Sequence, residues 1–175
     1  MQQLQLGNFQ AAAQLFERWK LVLFNFFLRQ TADRELAEDM TQSAFERMIK
    51  YRSTYKVDMA FRAWIFQIAR NLLYTNQRKR QSRTKVMANL GSPGALENES
   101  SRIDLQMERS EDKAKLWRAM DKLTPSDREL LLLAKIQKIP YREIGEIMNC
   151  KEGAVKVKVH RAIARLKNIF ITLEE

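Results

Sequence analysis

The chain is poor in residues that punctuate or cross-link. Its 175 residues include five Gly, three Pro, one Cys and one His. A lone cysteine, Cys150, cannot close an intrachain disulfide, and it leaves no Cys-based zinc motif. A lone histidine, His160, excludes a multi-histidine metal centre. Neither G-x-x-x-x-G-K-[ST] nor G-x-G-x-x-G occurs, so the common phosphate cradles are absent. Residues 1–10 have neither the basic start nor the apolar stretch of a signal peptide. The greasiest stretch, residues 21–28, is interrupted by Asn25 and bounded by Lys20 and Arg29. It is far short of the roughly 20 residues that span a bilayer. No membrane insertion is expected, and a cytoplasmic soluble protein is the default. No paired acid/base or metal-ligating constellation stands out, so no catalytic residue, metal or cofactor is expected.

What the chain does have is apolar residues (45%) and charge (30%), the proportions of a folded protein rather than a disordered one. Scarce Gly and Pro among much Leu, Ala, Lys, Arg and Glu predict an all-α fold. Lys and Arg number 31 against 21 Asp and Glu, a net charge of +10. That excess suits a polyanionic partner. It is unevenly spread: residues 1–80 carry net +6, residues 81–112 net −2, and residues 113–175 net +6. The middle segment holds the loop signals Gly91-Ser92-Pro93-Gly94 and Asn98-Glu99-Ser100-Ser101. The pattern predicts two small helical domains, residues 1–82 and 107–175, joined by a flexible, mildly acidic linker over 83–106. The first is an N-terminal helical bundle and the second a helix-turn-helix domain.

In the first domain, helices are expected over 9–28, from an Asp33 N-cap to about Tyr51, and from about Ala60 into the basic run Arg78-Lys79-Arg80. Residues 53–59 form a break. The first helix offers Phe9, Ala13, Phe16, Val22, Leu23 and Phe27 as its apolar surface. On the second helix Leu36, Met40, Ala44 and Met48 form one apolar stripe. Glu38, Gln42, Phe45 and Ile49 form another line, which reads either as a protein-docking face or, for Phe45 and Ile49, as a second buried face. On the third helix Phe61, Trp64, Ile65, Ile68 and Leu72 are core-like. Gln67, Asn71, Tyr74 and Arg78 make an amide–aromatic–cation line. Such a line suits single-stranded nucleic acid, with cations on phosphates and aromatic rings under bases. A solvated helix end explains the basic cluster with Arg83 but not Tyr74.

In the second domain, a helix is expected over 105–123. Thr124-Pro125-Ser126-Asp127 then supplies an N-cap, a Pro at the first helical position and an acid at the third, opening a helix over 125–135. The last two helices, 140–148 and 152–171, flank the short turn Asn149-Cys150-Lys151. Ile144, Ile147 and Met148 facing Val155, Val159, Ala162 and Leu166 is helix-turn-helix packing. The opposite face of the last helix shows Gly153, Ala154, Val157, His160 and Arg161, with Lys156, Lys158 and Arg165 beside it. Small residues permit close approach to a major groove. Arg161 can fork onto guanine, Val157 can meet a thymine methyl, and the lysines can hold phosphates.

Two stretches of this sequence, Ala37-Glu38-Asp39-Met40-Thr41-Gln42-Ser43-Ala44-Phe45 and Phe61-Arg62-Ala63-Trp64-Ile65-Phe66-Gln67-Ile68-Ala69-Arg70-Asn71, resemble the core of bacterial sigma factors of the extracytoplasmic-function (ECF) group. Leu123-Thr124-Pro125, Tyr141-Arg142-Glu143-Ile144-Gly145-Glu146-Ile147 and the run from Gly153 to Ala162 resemble that family's C-terminal helix-turn-helix domain. The resemblance spans about residues 7–80 and 116–170. It implies a protein that binds core RNA polymerase, recruits it to promoter DNA and opens the duplex. It assigns Glu38, Asp39, Gln42 and Phe45 to polymerase docking. Tyr55, Lys56, Val57, Asp58, Asn71, Tyr74 and Arg78 fall to capture of the minus-ten element as single strand, the loop pocketing a flipped base. Arg142, Lys156, Val157, Lys158, His160, Arg161 and Arg165 fall to the minus-thirty-five duplex. The linker corresponds to the segment threaded through the polymerase. An anti-sigma factor, common in this group, is an expected further partner.

The chain departs from the family pattern at four places. Pro140 stands where a capping Ser or Thr is usual, and Lys151 where Ser often caps the recognition helix. Asn149 replaces a turn Gly, and Ala154 a frequent Thr. These departures bear on promoter sequence. The alternative reading is a stand-alone helix-turn-helix regulator that binds its operator without polymerase.

Overall fold

The computed structural model describes the backbone of residues 1–89 and 111–173 and the side chains of residues 1–82 and 111–173. The loop signals at 91–94 and 98–101, the beginning of the helix expected from 105, and the Arg83 side chain lie outside the described residues. Every regular element that is described is helical, as expected. The chain divides into two compact units, Met1–Ile103 and Asp104–Glu175.

The first unit contains α1 (Gln2–Gln5), α2 (Gln10–Thr31), α3 (Arg34–Lys50), a 3-10 turn (Arg52–Thr54) and α4 (Phe61–Asn89). Helix α2 ends at Ala32 in the left-handed region, φ 54°. Asp33 follows in extended conformation and its carboxylate accepts the Leu36 N–H at 3.0 Å, the N-cap expected from the sequence. The unit is held by aromatic packing. Phe26, Phe27 and Phe66 are fully buried, with Phe26 and Phe66 edge-on at 5.1 Å. Met40, Ala44 and Met48 of α3 are buried beside them in the core, as are Trp64, Ile65 and Leu72 of α4. The expected apolar face of α2 is only partly a core face. Leu23 and Phe27 are buried, whereas Phe9 is 59% and Phe16 39% exposed. Helix α4 continues past the basic run to Asn89, into the stretch expected to be linker.

The second unit contains α5 (Glu111–Asp121), α6 (Pro125–Leu131), a π turn (Leu132–Ile136), α7 (Tyr141–Met148) and α8 (Glu152–Thr172). Thr124 Oγ1 accepts the Asp127 N–H at 3.2 Å and Pro125 occupies the first turn, as the sequence predicts. The helix expected over 125–135 instead passes into a π turn, with the Gln137 N–H bonded to the Leu132 carbonyl. Leu130 to Leu133 are all buried, so the end of α6 and the start of the turn sit inside the unit, while Lys135 and Ile136 are exposed. The Arg128 guanidinium donates to the Met120 and Asp121 carbonyls, closing the end of α5. Burial pushes its pKa below the ordinary guanidinium value, and nearby Asp121 opposes that shift.

Candidate polymerase and nucleic-acid interfaces

The α3 face presents Glu38, Asp39 and Gln42 to solvent. Glu38 accepts from Arg34 Nε at 2.9 Å, and Gln42 donates to Glu46 Oε1 at 3.0 Å. Both contacts run one turn along an exposed helix and contribute only a few tenths of a kcal/mol, about 0.3–0.5 each, so a partner can replace them. Phe45 is a correction. It is 5% exposed and packs edge-on against Phe16 of α2 at 4.8 Å. The alternative of a second buried face holds for Phe45, which α2 covers, while Glu38 and Gln42 stay exposed and Ile49 is half-buried.

The loop after the 3-10 turn is framed at both ends. Tyr55 donates its hydroxyl to the Met59 carbonyl at 2.7 Å and sets its ring edge-on to Trp64 at 5.3 Å. Burial raises the Tyr55 pKa above 10, and Asp58 adds to the shift. Tyr55 thus closes the loop, while Lys56, Val57 and Asp58 stand exposed at its tip. Trp64 is a core residue here rather than a stacking platform. Further along α4, Asn71, Tyr74 and Arg78 are exposed at helical spacing. The Tyr74 ring is fixed from below. The Arg70 guanidinium lies 4.6 Å from its centroid and donates to its hydroxyl at 3.3 Å. A ring fixed before a base arrives loses less entropy on stacking.

In the second unit, α7 ends at Asn149, which adopts φ 51°, ψ 52°. Asparagine tolerates that left-handed position. Cys150 N–H then returns to the Gly145 carbonyl at 2.9 Å. The turn is so tight that a Cβ on Gly145 would lie 2.6 Å from the Cys150 carbonyl oxygen. Sequence patterning places Gly145 inside the family motif but does not give it this role, although a Gly four residues before a helix-turn-helix turn Asn was the available signal. Val155, Val159 and Ala162 are buried, which turns the opposite side of α8 outward. Lys156, Val157, Lys158, His160 and Arg161 are all exposed there, with Val157 at 50%. Lys151 provides no side-chain cap to α8. Lys156 sits 3.6 Å from Glu152, and Arg142 sits 3.9 Å from Glu146 on α7. A Cβ at Gly153 would meet nothing within 4 Å, so packing inside the unit does not require a glycine there.

Arg165 is placed differently from the rest of its group. Its Nη1 donates to Asp127 Oδ2 at 2.6 Å, and the Asp127 side chain is only 12% exposed. The contact ties α8 to the start of α6, so Arg165 already has a structural partner.

Sigma-70 region 2 matches residues 15–83 and Sigma-70 region 4 matches residues 113–166. The ECF RNA polymerase sigma factor EcfG of Rhodopseudomonas palustris (strain TIE-1) is 30% identical over 143 residues, covering 82% of this chain and 75% of that protein. The chain belongs to the ECF RNA polymerase sigma factor family. The ECF sigma factor SigM of Bacillus subtilis (strain 168) is 28% identical over 160 residues, 90% of this chain and 93% of SigM. Among solved structures, the sigma factor RpoE bound to the anti-sigma factor NepR from Bartonella quintana superposes with a TM-score of 0.69 at 24% identity, covering 90% of this chain and 94% of RpoE. The family places this ECF sigma factor in transcription initiation: it binds core RNA polymerase and directs promoter recognition. Two matched regions in family order leave nothing to favour the stand-alone regulator. Among the described residues, no helix is long and apolar enough to cross a membrane, and no cluster of His, Cys, Asp or Glu could hold a metal.

Proposed function

We propose that this sigma factor divides the promoter between its two units and contributes no catalytic residue of its own. Residues 1–82 dock core RNA polymerase and capture the minus-ten strand, residues 83–106 link, and residues 107–175 read the minus-thirty-five duplex. The docking group is Glu38, Asp39 and Gln42. The minus-ten group is Lys56, Val57 and Asp58 at the loop tip, with Asn71, Tyr74 and Arg78 along α4. The minus-thirty-five group is Lys156, Val157, Lys158, His160 and Arg161, with Arg142 on α7. Action beside RNA polymerase makes the cytoplasm its place of work. An anti-sigma factor is a further partner, in keeping with RpoE, a structural relative solved in complex with the anti-sigma factor NepR.

The single observation that carries this reading is the outward face of α8. Its buried stripe leaves cationic, apolar and small side chains on the surface that a major groove accepts. On the other unit, the fixed Tyr74 ring beside Asn71 and Arg78 offers stacking, amide and phosphate contacts along one line. The test is co-migration of the full chain with core RNA polymerase from its host, beside Asp39→Ala and Gln42→Ala. Stable binding that both changes weaken supports the docking assignment. Failure to bind an active, matched core would return the stand-alone regulator to consideration.

A further inference from the structure

We propose that Gln5, on the four-residue helix α1, is a positioning residue that sets base selectivity at the minus-ten element. The proposal rests on the reading of Lys56, Val57 and Asp58 as minus-ten contacts. Gln5 Nε2 donates to the Arg52 carbonyl at 2.9 Å and to the Tyr55 carbonyl at 2.9 Å. An amide nitrogen has two hydrogens, and both are used. The acceptors are backbone atoms at the two ends of the segment that enters the loop, so the contact fixes the path of the chain rather than one side chain. Gln5 is 47 and 50 residues distant from them in sequence.

The segment carrying Gln5 is itself anchored. The neighbouring Leu4 is fully buried. The Arg52 guanidinium lies over the Phe9 ring at 5.7 Å while donating to the Ile49 carbonyl at 3.0 Å. From the far side, the Tyr55–Met59 bond closes the same loop. The tip is therefore exposed between two fixed ends. A pocket for an extruded base works only when its walls hold within about 0.5 Å. Releasing one end leaves the tip side chains present but loosens their geometry. Discrimination among bases falls before binding does.

The test uses holoenzyme assembled from the host core polymerase and the full chain, offered duplex DNA randomised across both promoter elements. Gln5→Leu removes both donors at similar volume. Gln5→Glu keeps the shape and sets a carboxylate against two carbonyls. Gln5→Lys restores donors. The expected result is a loss of about tenfold in enrichment of the preferred minus-ten base for Leu and Glu, as two hydrogen bonds predict. Lys recovers much of it, and core affinity and minus-thirty-five enrichment stay unchanged. Asp58→Ala and Lys56→Ala are run alongside. Unchanged selectivity in the Gln5 variants with loss in the tip variants overturns the positioning role and leaves the loop reading standing. Unchanged selectivity in all of them overturns both. Equal loss at both elements marks general damage to the fold and also overturns the role.

Discussion

In the N-terminal unit, the residues proposed to meet DNA sit on a loop tip, whose support comes from Gln5 far along the chain, and on a face of α4. In the C-terminal unit all but Arg142 line one helix, α8, and their support is the buried stripe of that same helix. The cores differ in the same sense. The first is built on the edge-on rings of Phe26, Phe27 and Phe66, which join helices distant in sequence. The second is aliphatic, filled by Leu130, Leu132, Leu133, Ile144 and Val155. A strand captured after melting has no fixed shape, so the surface that takes it must bring its own. A duplex groove already has a shape, and a plain helix suffices for it.

Four changes break or sharpen this contrast. Phe26→Ala opens a cavity in the aromatic core and is expected to cost about 3–5 kcal/mol. Denaturation followed by the fluorescence of Trp19 and Trp64 against Trp117 should show the loss in the first unit alone. Gly145→Ala drives a Cβ into the Cys150 carbonyl and is expected to cost about 2–3 kcal/mol in the second unit. The same denaturation read through Trp117 checks it, and binding to minus-thirty-five duplex should fall with it. Arg165→Met leaves the nearly buried Asp127 carboxylate without this partner. Because Arg165 is itself 57% exposed, the expected cost is reduced to about 1–2 kcal/mol. A loss of duplex binding with no loss of stability would instead return Arg165 to the DNA-reading group.

The smallest effect concerns the loop frame. Tyr55 ionises above the ordinary 10 because burial, and then Asp58, disfavour the phenolate. A group with a raised folded pKa stabilises fully below its unfolded value and ceases to do so as pH rises through the folded one. The loop frame is therefore intact at neutral pH and loosens only above pH 10. Absorbance titration of the phenolate should show Asp58→Asn lowering the Tyr55 midpoint only partway, since burial is the larger cause.

Much of this was legible in the sequence because it is local. The Asp33 and Thr124 caps, the left-handed Asn149 and the period-3.6 stripes of α7 and α8 each depend on residues within one or two turns. What escaped depends on contacts that no spacing encodes. A helical wheel gives Phe45 two possible faces, and only the arrival of Phe16 decides between them. Asp127 reads as a helix-opening acid, yet its carboxylate serves Arg165, 38 residues on. Gln5 lies in a short polar stretch with no helical signature, and its two acceptors are backbone atoms. The Arg70–Tyr74 pair, at i,i+4 on one helix, is local too and lies within reach of sequence spacing.

The most direct measurement is the base preference of holoenzyme on duplex DNA randomised at both promoter elements, for the unaltered chain, Arg161→Ala and Asp58→Ala. A division of the promoter between the two units predicts that Arg161→Ala relaxes one minus-thirty-five base pair, by about 1–3 kcal/mol of discrimination. It predicts that Asp58→Ala flattens the minus-ten preference alone. Loss of preference at both elements from either change, or at neither from both, would contradict it.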